Sequence, residues 1–186
     1  MAASVAAAAA VTARSLAEAF TLRATATRLL LRASPDVACA NLLCEHAGRG
    51  CACRLSLAVE RMPLLAHLDV RDNALPQLPS AAFDAPSLVL LRAAGNALTA
   101  LPLLPPRARG LATLDLAGNA LQELPHLAAL GAALPALQRL VLTGNPLSRS
   151  AAAALRAEPR LWQAAQAGEA WAAAQGGRDA EEGGGA

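Results

Sequence analysis

Four cysteines and a histidine fall within one short window, Cys39-x4-Cys44-x-His46-x4-Cys51-x-Cys53. Thiolates and imidazoles are the ligands that hold zinc in a tetrahedral site, so Cys39, Cys44, His46, Cys51 and Cys53 form a candidate metal set. Their spacing is irregular and lacks the Cys-x2-Cys knuckle that most zinc sites carry. Cys44, Glu45 and His46 stand in a row, and their types would suit a thiol nucleophile with its base. Consecutive residues on a helix point in different directions, however, so the triplet cannot converge on one atom. A third reading needs no chemistry: reduced cysteines serve as small, partly buried hydrophobes. Elsewhere there is no phosphate-cradling glycine loop, no nucleophile elbow and no pair of carboxylates on a convincing scaffold. The expectation is therefore a protein that is not an enzyme, with no catalytic residue and no cofactor.

Any such residues must be positioned by a core, and the composition limits what that core can be. The chain has 186 residues, enough for one domain, and no Tyr, two Phe and two Trp. With so few rings, the core must come from many repeated Leu contacts. The net charge is +2, and all basic residues are Arg. That balance, without a basic stripe and interleaved aromatics, argues against a nucleic-acid binder. No segment reads as a membrane span, since the Met1–Ala13 run is short and mostly Ala. It also lacks the positive start and Leu-rich middle of a secretory signal. Residues 1–34 carry Arg14, Arg23, Arg28 and Arg32 against Glu18, which would suit an organellar presequence. The competing reading is a disordered Ala-rich leader before a capping helix near residues 13–20.

One pattern recurs four times. It runs Leu65-x-x-Leu68-x-Val70-x-x-Asn73-x-Leu75, then Leu88-x-x-Leu91-x-Ala93-x-x-Asn96-x-Leu98. It continues as Leu111-x-x-Leu114-x-Leu116-x-x-Asn119-x-Leu121 and Leu137-x-x-Leu140-x-Leu142-x-x-Asn145-x-Leu147. The Asn residues are 23, 23 and 26 positions apart. The Leu-x-Leu segment alternates with period two, as a short strand with one inward face does. Asn73, Asn96, Asn119 and Asn145 have structural roles, because an amide can satisfy backbone groups of its own turn and the neighbouring one. Arg28 to Arg32 reads as a degenerate earlier strand, with Leu29 and Leu31 inward and Ser34 near the Asn position.

These residues resemble the leucine-rich-repeat family over positions 65 to 147. The resemblance implies an α/β solenoid, with a curved parallel sheet on the concave side and helices or extended turns on the convex side. The expected organisation is a leader over 1–12, an N-terminal cap and degenerate first repeat with the Cys-bearing insertion over 13–64, and four repeats over 65–148. A helical cap over 149–175 and a disordered tail over 176–186 complete it. Residues 79–84 should form a short helical return with Phe83 plugging the convex side. Residues 102–109 should be extended, since Pro105-Pro106 blocks a helix, and 127–134 should hold a helical turn or two. Secreted members of the family often have a Cys-stapled N-terminal cap, which adds disulfides to the readings of the cysteines.

The family's usual binding surface is the concave sheet, and a non-catalytic interaction module or scaffold is the implied function. Its partner would be another protein, and the chain on its own would be a monomer. The residues expected to meet that partner are Arg28, His67, Asp69, Arg71, Leu90, Arg92, Thr113, Asp115, Arg139 and Val141. Asp69, Arg92 and Asp115 alternate in sign along one row and should pair with one another. Two alternatives stand beside this reading: a structural subunit of a larger assembly, and, behind it, a zinc-binding or thiol-dependent enzyme. The expected compartment is the cytoplasm, or a mitochondrion or plastid if residues 1–34 are a presequence.

Overall fold

The computed structural model describes residues 10–37, 52–101, 109–124 and 127–175. Its elements in chain order are β1 (Thr12–Ala13), α1 (Leu16–Thr21), β2 (Arg28–Leu30), a 3-10 turn (Pro35–Val37), α2 (Ala52–Val59), β3 (His67–Asp69) and α3 (Ala81–Asp84). Then follow β4 (Leu90–Arg92), β5 (Thr113–Asp115), α4 (Leu127–Ala133), β6 (Arg139–Val141), α5 (Arg149–Ala157) and α6 (Pro159–Gln175). The six strands form one parallel sheet in the order of the chain. Parallel neighbours require a crossover, and here each repeat's return segment supplies it.

The repeat spacing sets the register. Leu68 faces Leu91, Leu91 faces Leu114 and Leu114 faces Leu140, while Leu29 joins the same row through Leu68. These five side chains are at most 1% exposed. A second inward row, Leu31, Val70, Ala93, Leu116 and Leu142, is also buried. Leu75, Leu98 and Leu121 close the core beyond the Asn turn, and Phe83 of α3 fills its convex side at 1% exposure. A core of Leu rows thus stands in for the missing aromatic rings.

The Asn residues tie each repeat to the one before it. Asn96 Nδ2 donates to the carbonyls of Val70 (2.9 Å) and Ala93 (3.0 Å), and its Oδ1 accepts from the Asn73 and Leu75 amides at 3.1 and 2.9 Å. Asn119 bonds the carbonyls of Ala93 and Leu116, and Asn145 those of Leu116 and Leu142. In the degenerate repeat Ser34 occupies the Asn position, and its amide is capped by Asn73 Oδ1 at 2.9 Å. The residue just before each of these positions is left-handed in all five turns: Ala33, Asp72, Gly95, Gly118 and Gly144, with φ between 45° and 74°. Glycine takes this conformation at no steric cost, so the Gly-Asn pairs of the last three repeats have a backbone reason.

The sheet begins one strand earlier than the degenerate strand expected at Arg28 to Arg32. Thr12 and Ala13 pair with Arg28 and Leu29, and Val11 O accepts from the Thr27 and Arg28 amides. Two residues are too few to show a period, so this strand left no mark in the repeat pattern. Helix α1 follows, with Ser15 Oγ accepting from the Glu18 amide at 3.0 Å. The expected cap over 149–175 consists of two helices, of which α5 starts at a Ser148 N-cap. The expected extended return lies almost wholly outside the described residues, and so does the tail over 176–186. No described helix is long and apolar enough to cross a membrane.

Candidate functional site

The outward-pointing residues of the strands form three rows on the concave sheet. Arg28, His67, Leu90, Thr113 and Arg139 are in register in the first row. Leu30, Asp69, Arg92, Asp115 and Val141 form the second. Arg32 and Arg71 lie in the third, two residues beyond Leu30 and Asp69. Parallel strands stand about 4.8 Å apart, so neighbours in a row can touch. The structure thus gathers all ten of the expected partner-binding residues on one surface.

The two ends of that surface differ. Arg28, Leu30, His67, Leu90 and Arg92 are partly exposed. Thr113, Asp115 and Val141 are 4%, 7% and 0% exposed. Thr113 is short and flanked by Leu90 and Arg139, whose Nη1 lies 3.4 Å from its hydroxyl. Helix α6 packs on β6 more extensively than any other two elements pack together.

Helix α6 starts on the convex side, where the Arg160 guanidinium donates to the Leu134 carbonyl beyond α4 and Leu161 lies beside Gly131. At Gly168 it presses on the backbone of Leu140 in the edge strand β6. A methyl on Gly168 would lie 2.6 Å from the Leu140 carbonyl carbon and 2.9 Å from its nitrogen. One turn later Trp171 sets its ring over Arg92, two strands in, with 4.9 Å from guanidinium carbon to ring centroid. The terminal helix therefore covers the open sheet edge and also reaches onto the concave face. Sequence reasoning treated it only as an end cap. The available signal was Gly168 itself, because glycine inside an Ala-rich helix costs about 1 kcal/mol against Ala and marks a close approach.

The charges also pair differently from the expected Asp69–Arg92–Asp115 ladder. Asp69 is held by Arg71 of its own strand segment, whose Nε and Nη2 lie 2.8 to 3.1 Å from the carboxylate oxygens. Residues two apart on a strand share a face, and the planar guanidinium meets a carboxylate with two parallel bonds. Arg92 is left to Trp171, and its Nε is buried with no hydrogen-bond partner among the described residues. The Nε of Arg28 is in the same condition. Asp115 accepts from the Ala117 amide at 3.2 Å. Burial raises its pKa above the ordinary carboxylate value, outweighing that bond and the charges of Arg92 and Arg71. His67 is shifted the other way, lowered first by burial and then by the Arg28 and Arg92 charges.

Of the candidate zinc set, only Cys53 belongs to the described residues, exposed on α2. Cys39, Cys44, His46 and Cys51 lie outside them. No three His, Cys, Asp or Glu side chains gather as a metal site among the described residues.

No family model and no curated protein matches the sequence. Among solved structures, the chain is similar to a leucine-rich-repeat protein of Leptospira interrogans, with a TM-score of 0.50 and 29% sequence identity. The match covers 59% of this chain and 26% of that one, so this chain corresponds to only part of the larger protein. With the open parallel sheet and its Asn turns, the similarity establishes an α/β leucine-rich-repeat solenoid.

Proposed function

We propose that the chain is a non-catalytic protein-interaction module whose concave sheet receives a segment of a partner on strands β2 to β4. One observation carries the reading. Along a single sheet, Arg28, Leu30, His67, Leu90 and Arg92 stay partly open, while on β5 and β6 Thr113, Asp115 and Val141 are buried and Arg139 alone stays partly open. Polar and apolar side chains interleave there on a pre-formed surface, which lowers the ordering cost of binding. The likeness to a leucine-rich-repeat protein supports an interaction role in general.

The test is recovery of partner by the tagged full chain. Arg28→Glu with His67→Glu should abolish recovery while leaving the circular dichroism spectrum unchanged. Leu57→Arg, on exposed α2, should leave recovery intact. Retention by the double variant would end the proposal. A second reading, a subunit held within a larger assembly, draws on Leu57, Leu64 and Val89, which are 43 to 49% exposed. Size exclusion of native extract separates the two, because the interaction module should also run as a free monomer. The module is proposed to act in the cytoplasm, with an organelle as the alternative. N-terminal sequencing of the mature chain distinguishes these compartments.

A further inference from the structure

The concave rows carry five arginines, Arg28, Arg32, Arg71, Arg92 and Arg139, against two carboxylates, Asp69 and Asp115. Asp69 is taken by Arg71, and Arg32 is paired with Asp72 at the turn, at 2.9 Å. Among the described residues Arg28, Arg92 and Arg139 form no ion pair. Asp115 is next to Arg92 in register, yet the two do not meet within salt-bridge distance. Glu169, the α6 carboxylate closest in sequence to Trp171, is exposed and makes no ion pair among the described residues.

Two of these three arginines, Arg28 and Arg92, stand on the open strands β2 and β4, and Arg139 stands on β6. Arg28 and His67 are direct neighbours, and Leu90 stands on the far side of His67. Burial lowers the pKa of His67 first, and the positive charges of Arg28 and Arg92 lower it further. Each of those arginines also keeps a buried Nε–H without an acceptor among the described residues. A carboxylate arriving from outside would instead pair with the arginines through whatever part of them stays open, since both residues are partly exposed. Leu30 and Leu90, both partly exposed, share β2 and β4 with the two arginines and offer apolar contact.

Given the concave face as the docking surface, on which this step rests, we infer that the partner segment is an acidic peptide, with carboxylates on Arg28 and Arg92 and an apolar side chain on Leu30 and Leu90. A nucleic acid fits less well. The open strands offer no aromatic platform for bases, and Trp171 already has its ring on Arg92.

Trp171 provides the readout. In a full-length Trp162→Phe variant it is the sole tryptophan, so its emission reports on Arg92. The probes are a capped peptide of alternating Glu and Leu, its Lys and Leu counterpart, and a single-stranded oligonucleotide of matching charge. The Glu peptide should shift the emission saturably, and its affinity should fall about tenfold with Arg28→Gln. It should fall less with Arg28→Lys, and it should weaken as salt rises. The Lys peptide should give no shift. Equal or tighter binding of the Lys peptide, still lost with Leu90→Arg, would overturn the acidic preference and leave the docking surface standing. Tighter binding of the oligonucleotide would overturn the preference in favour of nucleic acid. No response to any probe, together with partner recovery unaffected by Arg28→Glu and His67→Glu, would overturn both readings.

Discussion

Asn96→Ala removes one side chain that closes two turns at once. Its Oδ1 is the acceptor for the Asn73 and Leu75 amides, and the residue is 8% exposed. Alanine leaves both N–H groups buried and unpaired. The carbonyls of Val70 and Ala93 fare better, because Asn73 and Asn119 also donate to them. The cost is therefore that of two orphaned donors, about 1–3 kcal/mol each, or about 4 kcal/mol in all. Against the 5–15 kcal/mol typical of a folded domain, that is a large share. Asn145→Ala is the internal control. Among the described residues its Oδ1 caps the Leu121 amide alone, and the residue is half-buried, so about 1–2 kcal/mol is expected. Urea denaturation followed by circular dichroism and by tryptophan emission measures both, with coincident curves licensing a two-state treatment. Equal losses in the two variants, or a loss below about 1 kcal/mol for Asn96→Ala, would refute the buried-ladder reasoning.

Three further outcomes follow from the site. Gly168→Ala forces a methyl into the Leu140 backbone, which cannot rotate away, so α6 should lift at a cost of about 1–3 kcal/mol. Trp171 emission should shift with it, and unchanged emission and stability would contradict the packing. Asp115 has a raised pKa, so its stabilising contribution is complete below its unfolded value near 3.8 and is lost as pH rises through the folded pKa. Asp115→Asn should therefore melt higher than the parent at pH 7, with the advantage shrinking toward pH 4, and a lower melting temperature at pH 7 would count against burial as the leading cause. His67 has a lowered pKa, so its contribution is present above 6.5 and lost as pH falls through the folded value. His67→Gln should flatten that part of the stability profile, and an unaltered slope would show that another group sets it.

The repeated residues made the regular part of the solenoid readable in advance. Leu68, Leu91, Leu114 and Leu140 could be placed in one row because a fixed period carries its own register. The Asn positions were readable for the same reason, and the Gly-Asn pairs at 95, 118 and 144 held the left-handed turn in plain view. Features without a period were not readable. Strand β1 is two residues long, and the crossing of α6 depends on one glycine contact and one distant ring. The Asp69–Arg71 pair shows a different limit. The row neighbour Arg92 and the strand neighbour Arg71 were both within reach, and side-chain geometry decided between them. The ten concave residues could thus be named from the pattern, but not which of them α6 leaves open.

The most direct test of the concave docking surface is position-specific photo-crosslinking. A photoreactive residue is placed at His67 on the concave sheet or at Leu57 on the exposed side of α2. The account predicts a partner adduct from position 67 that disappears with Arg28→Glu, and none from position 57. An adduct from position 57 alone, or one from position 67 that Arg28→Glu leaves untouched, would contradict it.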